Sequence, residues 1–235
     1  MSQNAHILIV EDEPAIRMGL IDVFVYHGYQ VDFADNGETG LEKALSGQFD
    51  LILLDVMLPG INGFDICNRI REQSRDQAII MLTAKSSDED IIKGLSLGAD
   101  DYVAKPFSVA QLVLRVQAVL RRSLPDTAEQ STIMLDDGYE IDCLNLSGTA
   151  GGKPVSFTRR EIDLLQYLHS HAERPVPREE LLHKVWGYAN NIELETRTVD
   201  IHIAKLRRKI EKDSSTPAFL VTIRGAGYRL LSQNP

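Results

Sequence analysis

Five side chains with the chemistry of a charged binding site stand directly after apolar runs in the first half of the sequence. They are Glu11, Asp12, Asp55, Thr83 and Lys105. Neighbouring carboxylates repel one another and resist ionisation unless a cation compensates their charge. Oxygen ligands that leave room for water suit Mg²⁺. If the fold brings these groups together, Mg²⁺ and the single ammonium are the expected compensating charges, and Asp55 can stay ionised beside a core.

The apolar runs indicate a parallel sheet that places these side chains at one edge. Strands are predicted at residues 6–10, 29–34, 51–54, 78–82 and 101–104. Amphipathic stretches of helical period separate them, and strands that alternate with helices predict a doubly wound α/β fold with helices on both faces. Ligands of such folds bind beyond the carboxyl ends of the strands. All five side chains are predicted to lie at that edge.

Four segments of the first half, VEDE, LLDVMLPGINGFD, MLTAK and GADDYVAKPF, resemble the receiver domain of bacterial two-component response regulators. The resemblance implies a flavodoxin-like receiver over residues 1–122, with a five-stranded parallel sheet. It implies that Asp55 is the phosphoacceptor and that Mg²⁺ is held by Glu11, Asp12, Asp55 and the backbone carbonyl of Met57. A carboxylate that attacks phosphorus needs charge neutralised on the transferring oxygens, which Mg²⁺ and a lysine supply.

The same resemblance assigns roles to residues at the ends of the last two strands. Lys105 contacts the phosphoryl group and is followed by a cis peptide bond to Pro106, and Thr83 and Tyr102 form a pair that moves on phosphorylation. Each pocket residue taken alone also fits a plain structural role, as a helix cap, a turn residue or a core residue. Their occurrence together, in order, at the ends of the predicted strands favours the functional interpretation.

Other functions of similar folds fit the sequence less well. A magnesium-dependent aspartyl-phosphate hydrolase of the haloacid dehalogenase type needs a second Asp, as general acid and base, where this chain has Met57. A flavin-binding protein needs a hydroxyl- and glycine-rich phosphate loop after the first strand, where this chain has the acidic VEDEPAI. The hydrolase remains the alternative. The protein is not expected to be an enzyme beyond its own phosphoryl transfer to Asp55 and autodephosphorylation.

The sequence pattern changes after residue 122. Residues 123–131, SLPDTAEQS, are polar and unpatterned, which predicts a flexible linker. Residues 132–235 begin with short alternating strands and continue with three helices and a hairpin punctuated by glycine. The net charge of −9 argues at first against nucleic acid. Six cations nevertheless cluster between residues 197 and 212, and such a local stripe is what phosphate binding requires.

The last long helix, predicted over about residues 196–210, carries this basic stripe. Val199, Ile203, Leu206 and Ile210 recur at helical spacing and are predicted to be buried. On the other side, cations suit phosphate or guanine and an exposed Ile201 suits thymine methyls. With FTRREIDLLQYL, REELLHKVWG and TIRGAGYRL, this helix looks like the winged helix-turn-helix domain of the OmpR/PhoB subfamily. The predicted DNA-binding residues are Arg197, Thr198, Ile201, His202, Lys205, Arg208, Thr222 and Arg224.

Together the two resemblances predict a phosphorylation-activated transcriptional regulator of a two-component system. Its expected partners are a histidine kinase, double-stranded promoter DNA with direct repeats, and RNA polymerase. By the resemblance, a loop at about residues 187–195 contacts RNA polymerase or a neighbouring subunit. Activation is expected to promote a homodimer through Lys93, Asp100, Asp101, Arg115 and Arg122. The sequence has no apolar run long enough to span a membrane and no leader-like start. Its two cysteines, Cys67 and Cys143, stand far apart in different predicted domains, so no disulfide framework and a reducing cytoplasm are expected.

Overall fold

The computed structural model describes residues 5–83, 94, 95, 97–120, 132–136, 139–188 and 197–232. The chain forms two compact units, Met1–Arg122 and Ser123–Pro235. In the part of the chain that is described, no helix is long and apolar enough to cross a membrane. The linker predicted at residues 123–131 lies outside the described residues.

The first unit is built on a five-stranded parallel sheet with the strand order β2-β1-β3-β4-β5. The strands are β1 (His6–Val10), β2 (Gln30–Ala34), β3 (Leu51–Asp55), β4 (Ala78–Thr83) and β5 (Asp101–Ala104). Every residue of β3 and β4 is buried, as expected for central strands covered on both faces. The predicted doubly wound fold is confirmed. Asp55 and Thr83 are the last residues of their strands, so both lie at the carboxyl edge.

Helices cover both faces of this sheet. Successive strand residues point to opposite faces, so a strand whose residues are all apolar has two faces to bury. The described helices are α1 (Pro14–Tyr26), α2 (Gly37–Ala44), α3 (Gly63–Gln73) and α4 (Val109–Leu120). Ile9 packs in one apolar cluster with residues of α1 and α4, whereas Val10 faces Gly40 of α2. Pro14 stands at the first position of α1, where its missing N–H costs nothing.

The second unit combines a four-stranded antiparallel sheet, three described helices and a hairpin. The sheet order is β6-β7-β8-β9, from β6 (Thr132–Asp136), β7 (Tyr139–Asp142), β8 (Ser147–Ala150) and β9 (Lys153–Ser156). The helices are α5 (Arg159–Ser170), α6 (Arg178–Lys184) and α7 (Arg197–Ile210). The hairpin pairs β10 (Leu220–Ile223) with β11 (Gly227–Leu230). The apolar face predicted for α7, Val199, Ile203, Leu206 and Ile210, is buried.

Candidate functional site

Side chains from three strand ends meet at the carboxyl edge of the first unit's sheet. Nζ of Lys105 donates hydrogen bonds to Oε1 and Oε2 of Glu11 at 2.9 and 2.7 Å and to Oδ2 of Asp55 at 2.6 Å. Glu11 and Asp55 are buried, with exposures of 0% and 3%. Glu11, Asp12 and Asp55 each offer a carboxylate oxygen, and these oxygens lie within 4.8 Å of one another. The structure therefore brings together the three acidic residues that were predicted to converge at the carboxyl ends of the strands.

Burial governs the electrostatics of this pocket. It raises the pKa of Glu11 to about 7, against the hydrogen bond from Lys105 and with the help of the neighbouring charge of Asp55. Burial alone would lower the pKa of Lys105, but hydrogen bonds to Asp55 and Glu11 outweigh it and raise that pKa. Lys105 is therefore a cation at neutral pH, whereas Glu11 needs further positive charge to be fully ionised there.

The donor set of the pocket fits a hard divalent cation. Mg²⁺ prefers carboxylate, carbonyl and water oxygens and keeps several waters, and the exposure of Asp12 leaves one side of the cluster open to solvent. Oδ1 of Asp55 accepts a hydrogen bond from the backbone N–H of Met57 at 2.9 Å, which holds the loop after β3 against the carboxylate. The backbone carbonyl predicted as a further ligand, that of Met57, belongs to the same loop.

Arg17 holds the backbone of the acidic loop between β1 and α1. Its Nη1 donates to the carbonyl oxygens of Glu11 and Asp12 at 2.7 and 2.9 Å. Its guanidinium carbon lies 5.7 Å from the ring centroid of Phe33. Sequence reasoning missed this residue. Its position was the available signal. Arg17 is the fourth residue of α1, and a cation near the start of a helix is unfavourable because it opposes the helix dipole, so its presence there indicates a specific contact.

The two predicted switch residues belong to neighbouring strands of the sheet. Thr83 is fully buried, and its carbonyl oxygen accepts a hydrogen bond from the backbone N–H of Lys105 at 2.6 Å. The peptide bond between Lys105 and Pro106 is cis, as predicted. Tyr102 is 7% exposed, and its ring lies so close to Gly94 that a Cβ there would approach it to 3.2 Å. The ring packs inward, and the movement of this pair stays a prediction.

Three of the five predicted dimer-interface charges are described, and all three are paired within the chain. Asp100 is 1% exposed, and its Oδ2 accepts a hydrogen bond from Nη2 of Arg71 at 3.1 Å. This pair engages the charge of Asp100 within the chain, and its place in a dimer contact stays a prediction. Asp101 is buried and pairs with Arg115 at 2.8 Å. The other two predicted residues, Lys93 and Arg122, lie outside the described residues.

Exposed cations on α7 and on the hairpin form the candidate nucleic-acid interface of the second unit. Arg208 on α7 is exposed, and so is Arg224, which follows β10 in the turn of the hairpin. Thr222 is also exposed, and its hydroxyl accepts a hydrogen bond from Nη2 of Arg207 at 2.8 Å. The side chain of Arg197 lies outside the described residues. These positions remain predicted DNA contacts.

Three other predicted DNA contacts on α7 are buried instead. Thr198 and Ile201 are each 8% exposed and His202 is 1% exposed, so the expectation of an exposed isoleucine for thymine methyls is wrong. The ring of His202 stands edge-on to Trp186, with centroids 5.1 Å apart, and Nδ1 donates to the carbonyl oxygen of Thr198 at 2.9 Å. Burial lowers the pKa of His202 to about 4. A neutral, packed histidine is not placed to bind phosphate.

Lys205, predicted to bind DNA, forms an ion pair inside the domain. Its Nζ lies 3.0 Å from Oε1 of Glu161, and its side chain is 12% exposed. In this structure a buried carboxylate of α5 engages the charge of Lys205 and leaves little of its side chain exposed for the predicted DNA contact. Sequence reasoning missed Glu161, although Thr158 and Glu161 have the spacing of a capping box and the structure contains that box.

A second group that sequence reasoning missed joins α6, α7 and β11. Nε of Arg178 donates to Oδ1 of Asp200 at 2.7 Å, and Nη2 donates to the hydroxyl of Tyr228 at 2.9 Å. The hydroxyl of Tyr228 in turn donates to Asp200 at 2.6 Å. The guanidinium of Arg178 also lies 4.7 Å from the ring centroid of Tyr228. This cluster fixes α7 relative to the hairpin, the two elements expected to enter DNA grooves.

Both units match known protein families. Residues 7–117 match the response regulator receiver domain, and residues 152–230 match the C-terminal domain of transcriptional regulatory proteins. A probable transcriptional regulatory protein of Picosynechococcus sp. is 40% identical to this chain, over 97% of this chain and 94% of its own length. The response regulator ArlR of Staphylococcus haemolyticus is 43% identical, over 95% of this chain and 98% of its own.

Solved structures are similar over nearly the whole chain. A cysteine-to-aspartate mutant of RitR is 29% identical with a TM-score of 0.72, and the match covers 97% of this chain and 99% of that one. DrrB of Thermotoga maritima, an OmpR/PhoB homologue, is 31% identical with a TM-score of 0.52 and the same coverage. The chain therefore belongs to the two-component response regulators of the OmpR/PhoB subfamily, phosphorylation-activated transcriptional regulators with a receiver domain and a winged-helix DNA-binding domain.

Proposed function

We propose that Asp55 accepts a phosphoryl group from a histidine kinase and that this transfer controls promoter binding. The observation that carries the proposal is the hydrogen bond of 2.6 Å from Lys105 to Oδ2 of Asp55, beside Glu11 and Asp12. The backbone N–H of Met57 donates to the other oxygen, Oδ1, at 2.9 Å. Both oxygens of Asp55 are therefore oriented, and its charge is compensated, as a carboxylate nucleophile requires.

Each neighbouring group has a distinct task in the proposed transfer. Mg²⁺, held by Glu11, Asp12, Asp55 and the backbone carbonyl of Met57, supplies charge neutralisation on the phosphoryl oxygens. An oxygen of Asp55 forms the new bond to phosphorus while the bond from phosphorus to the kinase histidine breaks. Lys105 then binds a phosphoryl oxygen. The proposed catalysis is limited to this transfer and to autodephosphorylation, because Met57 supplies no proton shuttle for turnover of other substrates.

Phosphorylation with acetyl phosphate and Mg²⁺, followed by mass spectrometry, tests this assignment. The wild type should carry one label on Asp55, and the Asp55→Asn variant should carry none. Asp50→Asn is the matched control, since Asp50 precedes the same strand at its opposite end and accepts a hydrogen bond from the backbone N–H of His6 at 2.7 Å. The control should be labelled like the wild type. Undiminished specific labelling of Asp55→Asn would contradict the assignment of Asp55 as the phosphoacceptor.

Phosphorylation is proposed to move Thr83 and Tyr102 and to promote a homodimer of receivers. Asp100, Asp101 and Arg115 are the described charges of the proposed dimer face. Because each of them is already paired within the chain, a second copy gains less from them, and we expect a dimer of micromolar affinity or weaker. Sedimentation with beryllofluoride should show a concentration-dependent shift to dimer. No shift with this activator would contradict the proposal.

Residues 1–122 are proposed as the receiver, 123–131 as a flexible linker and 132–235 as the DNA-binding domain. The proposed target is double-stranded promoter DNA with direct repeats, contacted by Arg197, Arg208 and Arg224. RNA polymerase is the further proposed partner, through the loop at about residues 187–195, most of which lies outside the described residues. Cytoplasm is the proposed compartment, since the promoter DNA is there.

A further inference from the structure

Two lysines of α7, the recognition helix of this subfamily, bind one buried carboxylate inside the domain. Nζ of Lys205 lies 3.0 Å from Oε1 of Glu161, and Nζ of Lys209 lies 2.6 Å from Oε2. Residues four apart project from the same side of a helix on successive turns, so both lysines reach the same group. Their side chains are 12% and 25% exposed. Both cations are directed at α5 rather than at solvent.

Glu161 is itself firmly held at the start of α5. It is fully buried, and its Oε2 accepts a hydrogen bond from the backbone N–H of Thr158 at 2.8 Å as part of the capping box. Lys209 also donates to the carbonyl oxygen of Ser156 at 2.8 Å. Burial would raise the pKa of Glu161, but the charges of Lys205 and Lys209 outweigh it and lower that pKa. The carboxylate is therefore ionised, and the two lysines are its counter-charges.

The other described cations of α7 are arranged differently. Nε of Arg207 donates to the carbonyl oxygen of Leu220 at 2.8 Å and Nη2 donates to Thr222 at 2.8 Å, which ties α7 to β10. Arg208 is exposed together with Ala204. Among the α7 cations whose side chains the structure describes, Arg208 is thus the one on the exposed face.

We propose that Glu161 is a specificity-determining residue, which withholds the charges of Lys205 and Lys209 from DNA phosphates and fixes the rotation of α7 about its axis. Sequence-independent affinity grows with the number of phosphates that a protein's cations neutralise. A recognition helix that exposed every cation would bind any duplex tightly, and discrimination between sequences would fall. Glu161 acts through the two lysines and does not touch DNA, so it is a positioning residue.

The salt dependence of DNA binding tests the proposal in the full-length protein, with a random-sequence duplex as the probe. Glu161→Gln keeps the size of the side chain and an oxygen for the capping hydrogen bond, but it removes the negative charge with which both lysines pair. We expect tighter binding to this duplex and a slope of log K against log salt that is steeper by about one to two, because each phosphate contact adds about −0.9. An unchanged slope in folded Glu161→Gln protein would overturn the proposal.

Matched substitutions on α7 give a second readout that does not depend on the fold of the Glu161 variant. Lys205→Met should leave the slope of the wild type unchanged, whereas Arg208→Met, three residues later, should make it shallower by about one. The double variant Glu161→Gln/Lys205→Met, in which only one remaining lysine has lost its ion pair with Glu161, should have a slope between those of the wild type and Glu161→Gln.

Equal flattening by Lys205→Met and Arg208→Met would mean that Lys205 reaches DNA, and it would overturn the proposal even if Glu161→Gln fails to fold. Failure of the wild type to bind any duplex is a different outcome. It would remove the DNA contacts proposed for this domain, and the role of Glu161 would fall with them.

Discussion

Lys105 and Asp55 are joined by a hydrogen bond of 2.6 Å, although they are 50 residues apart in the chain. The same ammonium also binds both carboxylate oxygens of Glu11. One cation therefore compensates two buried carboxylates. Removing one partner from a buried ion pair leaves an uncompensated charge, which costs more free energy than the pair itself contributes. Lys105 consequently supports the receiver fold as well as the proposed phosphoryl transfer.

Lys105→Met should lower the free energy of unfolding of the receiver by about 3 kcal/mol in EDTA. Mg²⁺ should recover most of this loss, because it supplies positive charge to the same carboxylates. Calorimetry with and without Mg²⁺ measures both effects. In the control Lys43→Met, the lost pair with Asp32 lies at the surface, with 34% and 41% exposure, so we expect less than about 1 kcal/mol and no Mg²⁺ response. Equal Mg²⁺ responses of the two variants would contradict this role of Lys105.

Arg17→Met should weaken Mg²⁺ binding by roughly tenfold, since charge-assisted hydrogen bonds contribute about 1.5–3 kcal/mol and Arg17 makes two of them to the acidic loop. The sign of the effect identifies its cause. Loss of a nearby cation would by itself strengthen Mg²⁺ binding, whereas loss of loop positioning weakens it. Titration calorimetry of the unphosphorylated protein measures the affinity. The control Arg69→Met, at an exposed position of α3, also removes one positive charge and should leave the Mg²⁺ affinity nearly unchanged. Tighter Mg²⁺ binding by Arg17→Met would refute the positioning role.

The acidic pocket could be predicted from the sequence because parallel strands end at one edge of the sheet. Once the apolar runs are assigned as strands, Glu11, Asp55 and Lys105 must converge. Arg17 and Arg71 could not be assigned in this way, because their main partners are backbone carbonyls, which every sequence supplies. Arg71 binds the carbonyl oxygens of Ser74, Gln77 and Gly98. Its pair with Asp100 likewise removes from the surface a charge that the resemblance had assigned to a dimer contact.

The free energy of unfolding of the second unit should decrease as the pH is lowered, because His202 is buried in its neutral form. Its pKa is about 4 in the folded state, against an ordinary value of 6.5, and burial is the cause. As the pH falls below 6.5, His202 therefore becomes protonated in the unfolded chain but stays neutral in the folded chain. Stability is fully present above pH 6.5 and is lost toward pH 4, with a loss of about 2 kcal/mol between pH 7 and pH 5.

His202→Phe removes this titration and keeps a ring against Trp186. We expect a lower free energy of unfolding at pH 7, because the hydrogen bond to the Thr198 carbonyl is lost, but a flatter dependence on pH between 7 and 5. Urea unfolding at a series of pH values measures both quantities. A pH dependence in His202→Phe as steep as that of the wild type would show that other groups carry it.

The faces of α7 could be predicted only in part. The spacing of Val199 and Ile203 correctly predicts the buried stripe. It cannot tell which flanking cation meets a counter-charge from another element. Glu161 lies 44 residues before Lys205, and it is their ion pair that turns Lys205 away from the exposed face. Ile201 and His202 are likewise buried by tertiary packing, which helical periodicity alone does not reveal.

Arg224→Ala should weaken binding to all duplexes by a similar factor and make the salt slope shallower by about one, because the exposed guanidinium in the hairpin turn is expected to meet phosphates and the minor groove. Arg229→Ala is the control in the same hairpin. Its Nε donates to the carbonyl oxygen of Ala172 at 2.7 Å, so its removal should leave the slope unchanged. Fluorescence anisotropy at several salt concentrations measures the slopes. Identical slopes for the two variants would exclude Arg224 as a phosphate contact.

The arrangement of half-sites on DNA follows from the segment between the two units. A two-fold receiver dimer joined rigidly to its DNA-binding domains would require an inverted repeat. The polar residues 123–131 remove that requirement if they form a flexible chain, which would span about 16 Å. The DNA-binding domains could then lie head to tail, and we expect two direct-repeat half-sites about one helical turn apart on one face of the duplex. Selection from a random DNA library with the beryllofluoride-activated protein decides this. Enrichment of inverted repeats would mean that the segment is stiffer than its composition predicts, and enrichment of no motif would remove the claim of sequence-specific binding.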